Sequence, residues 1–140
     1  MILDTSAVIA VLTDEDDGPQ LGDLMATAHT SMSAATLVEC GIVWDRRNPS
    51  APEALSALLT LTRTQIAPFT DEHADLARAA YRVYGKGSGH PAQLNFGDCL
   101  SYALAKHTGE PLLFTGEDFT HTDIRDARSD PDTAFGPAPA

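Results

Sequence analysis

The chain has 140 residues, enough for one domain and short for two. Nine Lys and Arg face twenty Asp and Glu, a formal charge of −11, so a broadly basic nucleic-acid or anionic-membrane surface is excluded. At 43% hydrophobic residues the chain is also too apolar for a solvated, disordered polyanion.

Taken in order, Met1 to Leu3 reads as a buried strand. Thr5 to Leu12 reads as a helix, with Asp4 at the junction. The acidic run Asp14-Glu15-Asp16-Asp17 reads as a solvated turn, and a helix follows from about Pro19 to Ala28. Thr30 to Ser33 is expected as a strand, and Ala34 to Arg47 as a long apolar helix. Ser50-Ala51-Pro52-Glu53 reads as a capping box with Pro in the first turn, opening a helix that carries Leu55, Leu58 and Leu59. Gln65 to Phe69 reads as a strand, and Thr70 as the cap of a helix from Asp71 to Tyr84. After the Gly-rich stretch Gly85 to Pro91, Asn95 starts a helix to His107, closed by Gly109. Pro111 to Thr115 is the last expected strand. This alternation predicts an α/β fold with a central, mainly parallel sheet covered by helices on both faces. Residues 126–140, rich in Pro, Asp and Ala, read as a flexible tail.

Cys40 and Cys99 form no disulfide framework and no zinc motif; both sit in apolar stretches, which fits reduced, buried thiols in a cytoplasm. The N-terminus lacks a basic stretch ahead of its short apolar run, so no signal peptide is expected. No run of eighteen apolar residues exists to span a membrane.

Four acids stand apart from the solvated majority. Asp4 and Asp118 border the carboxyl edges of expected parallel strands, where open α/β sheets bind ligands. Glu39 is the only charged residue between Met32 and Trp44, among Leu37, Val38, Ile42 and Val43. Asp98 lies in the first turn after Asn95. Each has a plain alternative: an N-cap for Asp4, helix-start electrostatics for Asp98, a polar turn for Asp118 and an off-stripe position for Glu39. Carboxylates gathered in one place need a cation, and hard oxygen donors without His or Cys suit Mg²⁺, or Mn²⁺, rather than zinc. Such a site hydrolyses phosphodiesters.

The sequence resembles the PIN-domain ribonucleases, and among them the VapC toxins of bacterial toxin–antitoxin pairs. Met1-Ile2-Leu3-Asp4-Thr5-Ser6-Ala7 resembles the family's opening strand and first acid, and Ser33 to Glu39 its second acidic motif. Tyr84 to Gly87, His90 to Ala92 and Leu94 to Cys99 resemble the stretch carrying the third, and Leu112 to Phe119 with Thr122 to Ile124 the closing motif. All four occur in order from residue 1 to about residue 125.

The resemblance implies a PIN-like three-layer α/β/α domain over residues 1–125 and a Mg²⁺-dependent endoribonuclease. Asp4, Glu39, Asp98 and Asp118 would form the catalytic metal site, with Glu117 as a substitute for Asp118. Thr5, Ser6 and Thr115 would orient carboxylates or water. It also implies a homodimer and a small VapB-like antitoxin covering the acidic groove. Arg78, Arg82 and Lys86, spaced by four, would share a helix face as a track for RNA phosphates or as a solubilising stripe. The alternatives to an active nuclease are a PIN-like module that mainly binds a partner, and a phosphatase with an Asp nucleophile. The second wants an acid where Ser6 stands.

Overall fold

The computed structural model describes residues 1–134; part of the expected tail, residues 135–140, lies outside the described residues. Four short strands, β1 (Ile2–Leu3), β2 (Ser31–Ser33), β3 (Gln65–Ala67) and β4 (Leu112–Leu113), form one sheet in the order β3-β2-β1-β4. Each of their pairings is parallel, with Ile2 opposite both Ser31 and Leu112. Six helices connect them: α1 (Thr5–Leu12), α2 (Gly18–Thr27), α3 (Ala34–Arg47), α4 (Glu53–Leu61), α5 (Asp71–Tyr84) and α6 (Phe96–Thr108).

Because side chains alternate along a strand, the two residues of β1 feed opposite cores. Leu3 and Leu113 join Val8, Leu21, Met25, Met32 and Trp44 on the side of α1 to α4. Ile2 and Leu112 join Ala80, Leu94, Leu104, Phe114 and Phe119 on the side of α5 and α6. The expected three-layer α/β/α architecture is therefore present, with the sheet between two apolar layers. Parallel strands buried on both faces have no polar alternation, which explains the runs Ile2-Leu3 and Leu112-Leu113.

Local signals set most helix ends. The Thr70 hydroxyl accepts from the His73 amide while His73 Nδ1 accepts from the Thr70 amide, completing a capping box for α5. Gly109 ends α6 in the left-handed region at φ 71°, a conformation that favours glycine. The expected box at Ser50 does not form. Pro52 is the N-cap of α4 without a side-chain bond, because Ser50 lies in a turn where the Ala51 carbonyl accepts from the Trp44 indole at 2.8 Å.

Of the segment set apart as a tail, residues 126–134 are described. Asp126 bridges in parallel to Leu112, Ala127 is buried, and the Arg128 guanidinium lies 5.0 Å from the Phe114 ring centre. No helix among the described residues is long and apolar enough to cross a membrane.

Candidate active site

The carboxyl edge of β1 delivers Asp4 to the first turn of α1. Its backbone is extended, so it caps the helix, its Oδ2 accepting from the Ser6 amide at 3.0 Å and the Ser6 hydroxyl at 2.6 Å. The cap reading and the site reading are thus both true of one residue. Asp4 is only 3% exposed, and its other oxygen, Oδ1, accepts from Ser101 Oγ at 2.6 Å. The Ser101 hydroxyl lies 3.3 Å from Thr36 Oγ1, and Ser6 Oγ accepts from the Thr115 amide at 3.0 Å. Hydroxyls from α3, α6 and α1, together with the Thr115 amide just beyond β4, fix the Asp4 carboxylate in one orientation.

Asp98 sits at the third position of α6, in a reciprocal box with Asn95. The Asn95 amide donates to Asp98 Oδ2 at 2.9 Å and the Asp98 amide to Asn95 Oδ1 at 2.8 Å. Burial pushes its carboxyl up to about 7; the Asn95 amide opposes this, and the charges of Asp4, Asp118 and Glu39 add to it. Glu39 arrives from α3. Burial raises its pKa above the ordinary carboxylate range, the Thr5 hydroxyl opposing and the Asp4 charge adding. That hydroxyl is itself buried and makes no hydrogen bond of normal geometry.

Glu39 rests on a gap in α6. A Cβ at Gly97 would stand 1.4 Å from Glu39 Oε2, so the carboxylate occupies the space a side chain would take. Asp4, Thr5, Ser6, Glu39, Asp98 and Thr115 therefore line one cleft of about 340 Å³. Asp118 opens a 3-10 turn, Asp118–His121, and is exposed outside that lining, near enough for its charge to act on Asp98. Glu117 is also exposed and outside the lining.

Four residues escaped the sequence reading. Ser101 and Gly97 reach their partners only through tertiary packing. Glu15, grouped with a solvated turn, and Arg47, read as a helix-terminal charge, also line the cleft. Lys86 differs in another way. Helix α5 ends at Tyr84, and Lys86 follows Gly85 into a connection where its amide donates to the Leu94 carbonyl, so it does not continue the helical face of Arg78 and Arg82.

Ser101→Ala is expected to remove a buried, charge-assisted bond, destabilising the protein by about 2 kcal/mol and lowering turnover by about 10- to 100-fold. Chemical denaturation and initial rates check both.

Among the described residues, no group of three or more His, Cys, Asp or Glu is arranged to hold a metal ion. The donor set nonetheless suits a hard divalent cation. Four carboxylates, Asp4, Glu15, Glu39 and Asp98, line the cleft with no His or Cys among them, and burial raises the pKa of Glu39 and of Asp98, with neighbouring carboxylate charges adding to it.

A sequence profile described as PIN domain matches residues 1–125. The chain is 53% identical over 129 residues to ribonuclease VapC28 of Mycobacterium tuberculosis, covering 91% of this chain and 97% of that protein. It is 47% identical to ribonuclease VapC42 of the same organism, covering 91% and 98%. In fold it is similar to the crystal structure of Mycobacterium tuberculosis VapC20, a sarcin-ricin loop cleaving toxin, at 20% identity and a TM-score of 0.67 over 88% of this chain and 95% of that one. A toxin–antitoxin complex from Klebsiella pneumoniae matches at 16% identity and a TM-score of 0.62, over 84% and 88%. With its profile match, its close relatives and its parallel three-layer fold, the chain belongs to the PIN-domain family, in the group of VapC ribonucleases.

Proposed function

We propose that this chain is a divalent-metal-dependent endoribonuclease and the toxin of a toxin–antitoxin pair, with Mg²⁺ as its metal. The observation that carries the reading is the convergence of Asp4, Glu39 and Asp98, from β1, α3 and α6, on one cleft. The names of the relatives support the activity, and their high coverage extends it to the whole domain.

Asp4 and Asp98 would hold the cation, joined by Glu39 and, from the rim, Asp118. A divalent ion bound there supplies charge neutralisation at a phosphate and a more acidic water. Ser6 and Ser101 hold the Asp4 carboxylate in orientation, each donating to a different oxygen. Glu39 would meet that cation directly or through a water, from the α3 side of the cleft. Hydrolysis forms a bond from the attacking water's oxygen to phosphorus and breaks the bond to the leaving ribose oxygen. Thr5 and Thr115 supply further hydroxyls at the wall. Arg78 and Arg82, on the exposed side of α5, are placed to meet the RNA backbone, and Lys86 meets it from the loop beyond.

The same acidic cleft suits a basic segment of a VapB-like antitoxin, and the neighbouring fold of a toxin–antitoxin complex supports such a partner. A homodimer in the cytoplasm completes the reading; both cysteines are free and buried, as a reducing compartment allows. The test is cleavage of total RNA by purified, antitoxin-free protein. Cleavage is expected with Mg²⁺ and is expected to stop in EDTA. Cleavage that persists in EDTA overturns the metal mechanism. Intact RNA under every metal condition overturns the enzyme in favour of a binding module.

A further inference from the structure

A second concavity lies on the other side of the first turn of α6. It is a groove of about 590 Å³ lined by Phe69, Ala77, Arg78, Tyr81, Arg82 and Phe96, with Cys99 and Leu100 at its base. The turn that separates it from the acidic cleft is a single one: Asn95 and Asp98 face the cleft, and Phe96 and Cys99 face the groove. Phe96 is 76% exposed and Tyr81 45%, unusual for aromatics with no function.

The cations beside it are uncommitted. Lys106 pairs with Asp123, Arg125 with Asp130 and Arg128 with Asp126, whereas neither Arg78 nor Arg82 is in an ion pair among the described residues. The lining holds no Asp or Glu, in a chain with twenty of them. A two-fold contact with a second copy centred here would set arginines against arginines with no carboxylate between them. Aromatic faces flanked by free guanidinium groups match an unstacked base and its phosphate.

We propose that this groove takes an unpaired nucleobase of the RNA adjoining the bond placed at the acidic cleft, Phe96 and Tyr81 stacking on the base while Arg78 and Arg82 hold its phosphate. The inference rests on the nuclease reading and adds a base-recognition subsite to it. It makes substrate choice a property of α5 and the start of α6, apart from the acids that cut.

The test is fluorescence anisotropy of short, labelled single-stranded RNA in EDTA, which keeps the strand whole. One strand set carries all its bases, and a second carries an abasic residue stepped along it. Phe96→Ala is expected to weaken the intact strand about tenfold and to add little where the abasic residue sits in the groove, with Phe96→Trp restoring affinity. Arg78→Gln and Arg82→Gln are expected to weaken all strands alike and to flatten the salt dependence. Unchanged RNA affinity in Phe96→Ala overturns the proposal. If the same variant instead shifts the sedimentation coefficient, a second copy covers the groove; if it loses a co-expressed antitoxin, the groove belongs to that protein. The nuclease reading fails separately, when the unaltered chain with Mg²⁺ cuts no RNA.

Discussion

Replacing Gly97 with alanine should lower RNA cleavage about 100-fold while leaving the protein folded and as stable as before. The glycine keeps φ negative inside α6, so the reason for it is space and not backbone freedom. The new methyl would fall 1.4 Å from Glu39 Oε2 and 2.4 Å from its Cδ. No overlap of that size survives, and the flexible side chain yields before two packed helices do. Glu39 then swings out of the cleft. Replacing glycine by alanine in a helix favours folding, by less in the first turn, where Gly97 sits, than the roughly 0.5–1 kcal/mol of a helix interior, and freeing a half-buried carboxylate adds in the same direction. Activity and stability should therefore move apart: turnover falls and the melting temperature holds or rises. The decisive measurement is a double-mutant cycle with Glu39→Ala. If Gly97 acts only through Glu39, the double variant is no slower than Glu39→Ala alone. Additive losses, or a collapse in melting temperature, would mean that Gly97 supports the fold and not the carboxylate.

How such a site hides in a sequence is clear from its parts. Asp4 was legible at a strand edge and Glu39 as a charge among Leu37, Val38 and Ile42 that asks for an explanation, whereas Asp98 by itself read as helix-start electrostatics and joined them only through the gathering of acids and the resemblance. Their ordinary roles were legible too, and two of them hold: Asp4 caps α1 and Asp98 closes the box with Asn95. The supporting shell was not legible. Ser101 lies 97 residues from the carboxylate it orients, and nothing near it in the chain distinguishes its hydroxyl from any other helical serine. Gly97 looks like a weak helix residue until Glu39 is placed against it. β1 and β4 were legible as apolar runs, since both faces of the sheet are buried there, but the end of the last strand was set too far out. Phe114 and Thr115 were assigned to the last strand, yet Phe114 instead packs on Phe119 beyond β4. The Arg78, Arg82, Lys86 spacing failed at its third member because Gly85 turns the chain out of α5 before Lys86.

Asp98→Asn should abolish cleavage and, in metal-free protein, raise stability at neutral and alkaline pH. The folded carboxyl titrates near 7, against an ordinary value of 3.8, chiefly because it is buried. A folded-state pKa above the unfolded one means that the unfolded chain releases the proton first. Metal-free protein therefore loses stability as pH rises from about 4 to about 7, and recovers it on acidification. Asparagine cannot ionise, and its side-chain oxygen still accepts from the Asn95 amide, so the capping box survives. The variant should match the parent near pH 4 and exceed it near pH 8 by about 2 kcal/mol, reduced from the full shift by solvent in the open cleft. That corresponds to a rise of roughly 5 °C in melting temperature. Divalent cation should close the gap from the other side, stabilising the parent by binding its folded state and the variant much less. Thermal unfolding at both pH values, with EDTA and with Mg²⁺, separates these contributions. A variant that melts below the parent at pH 8 in EDTA would show that the Asp98 charge is already compensated inside the cleft, and that the site does not depend on a cation for its balance.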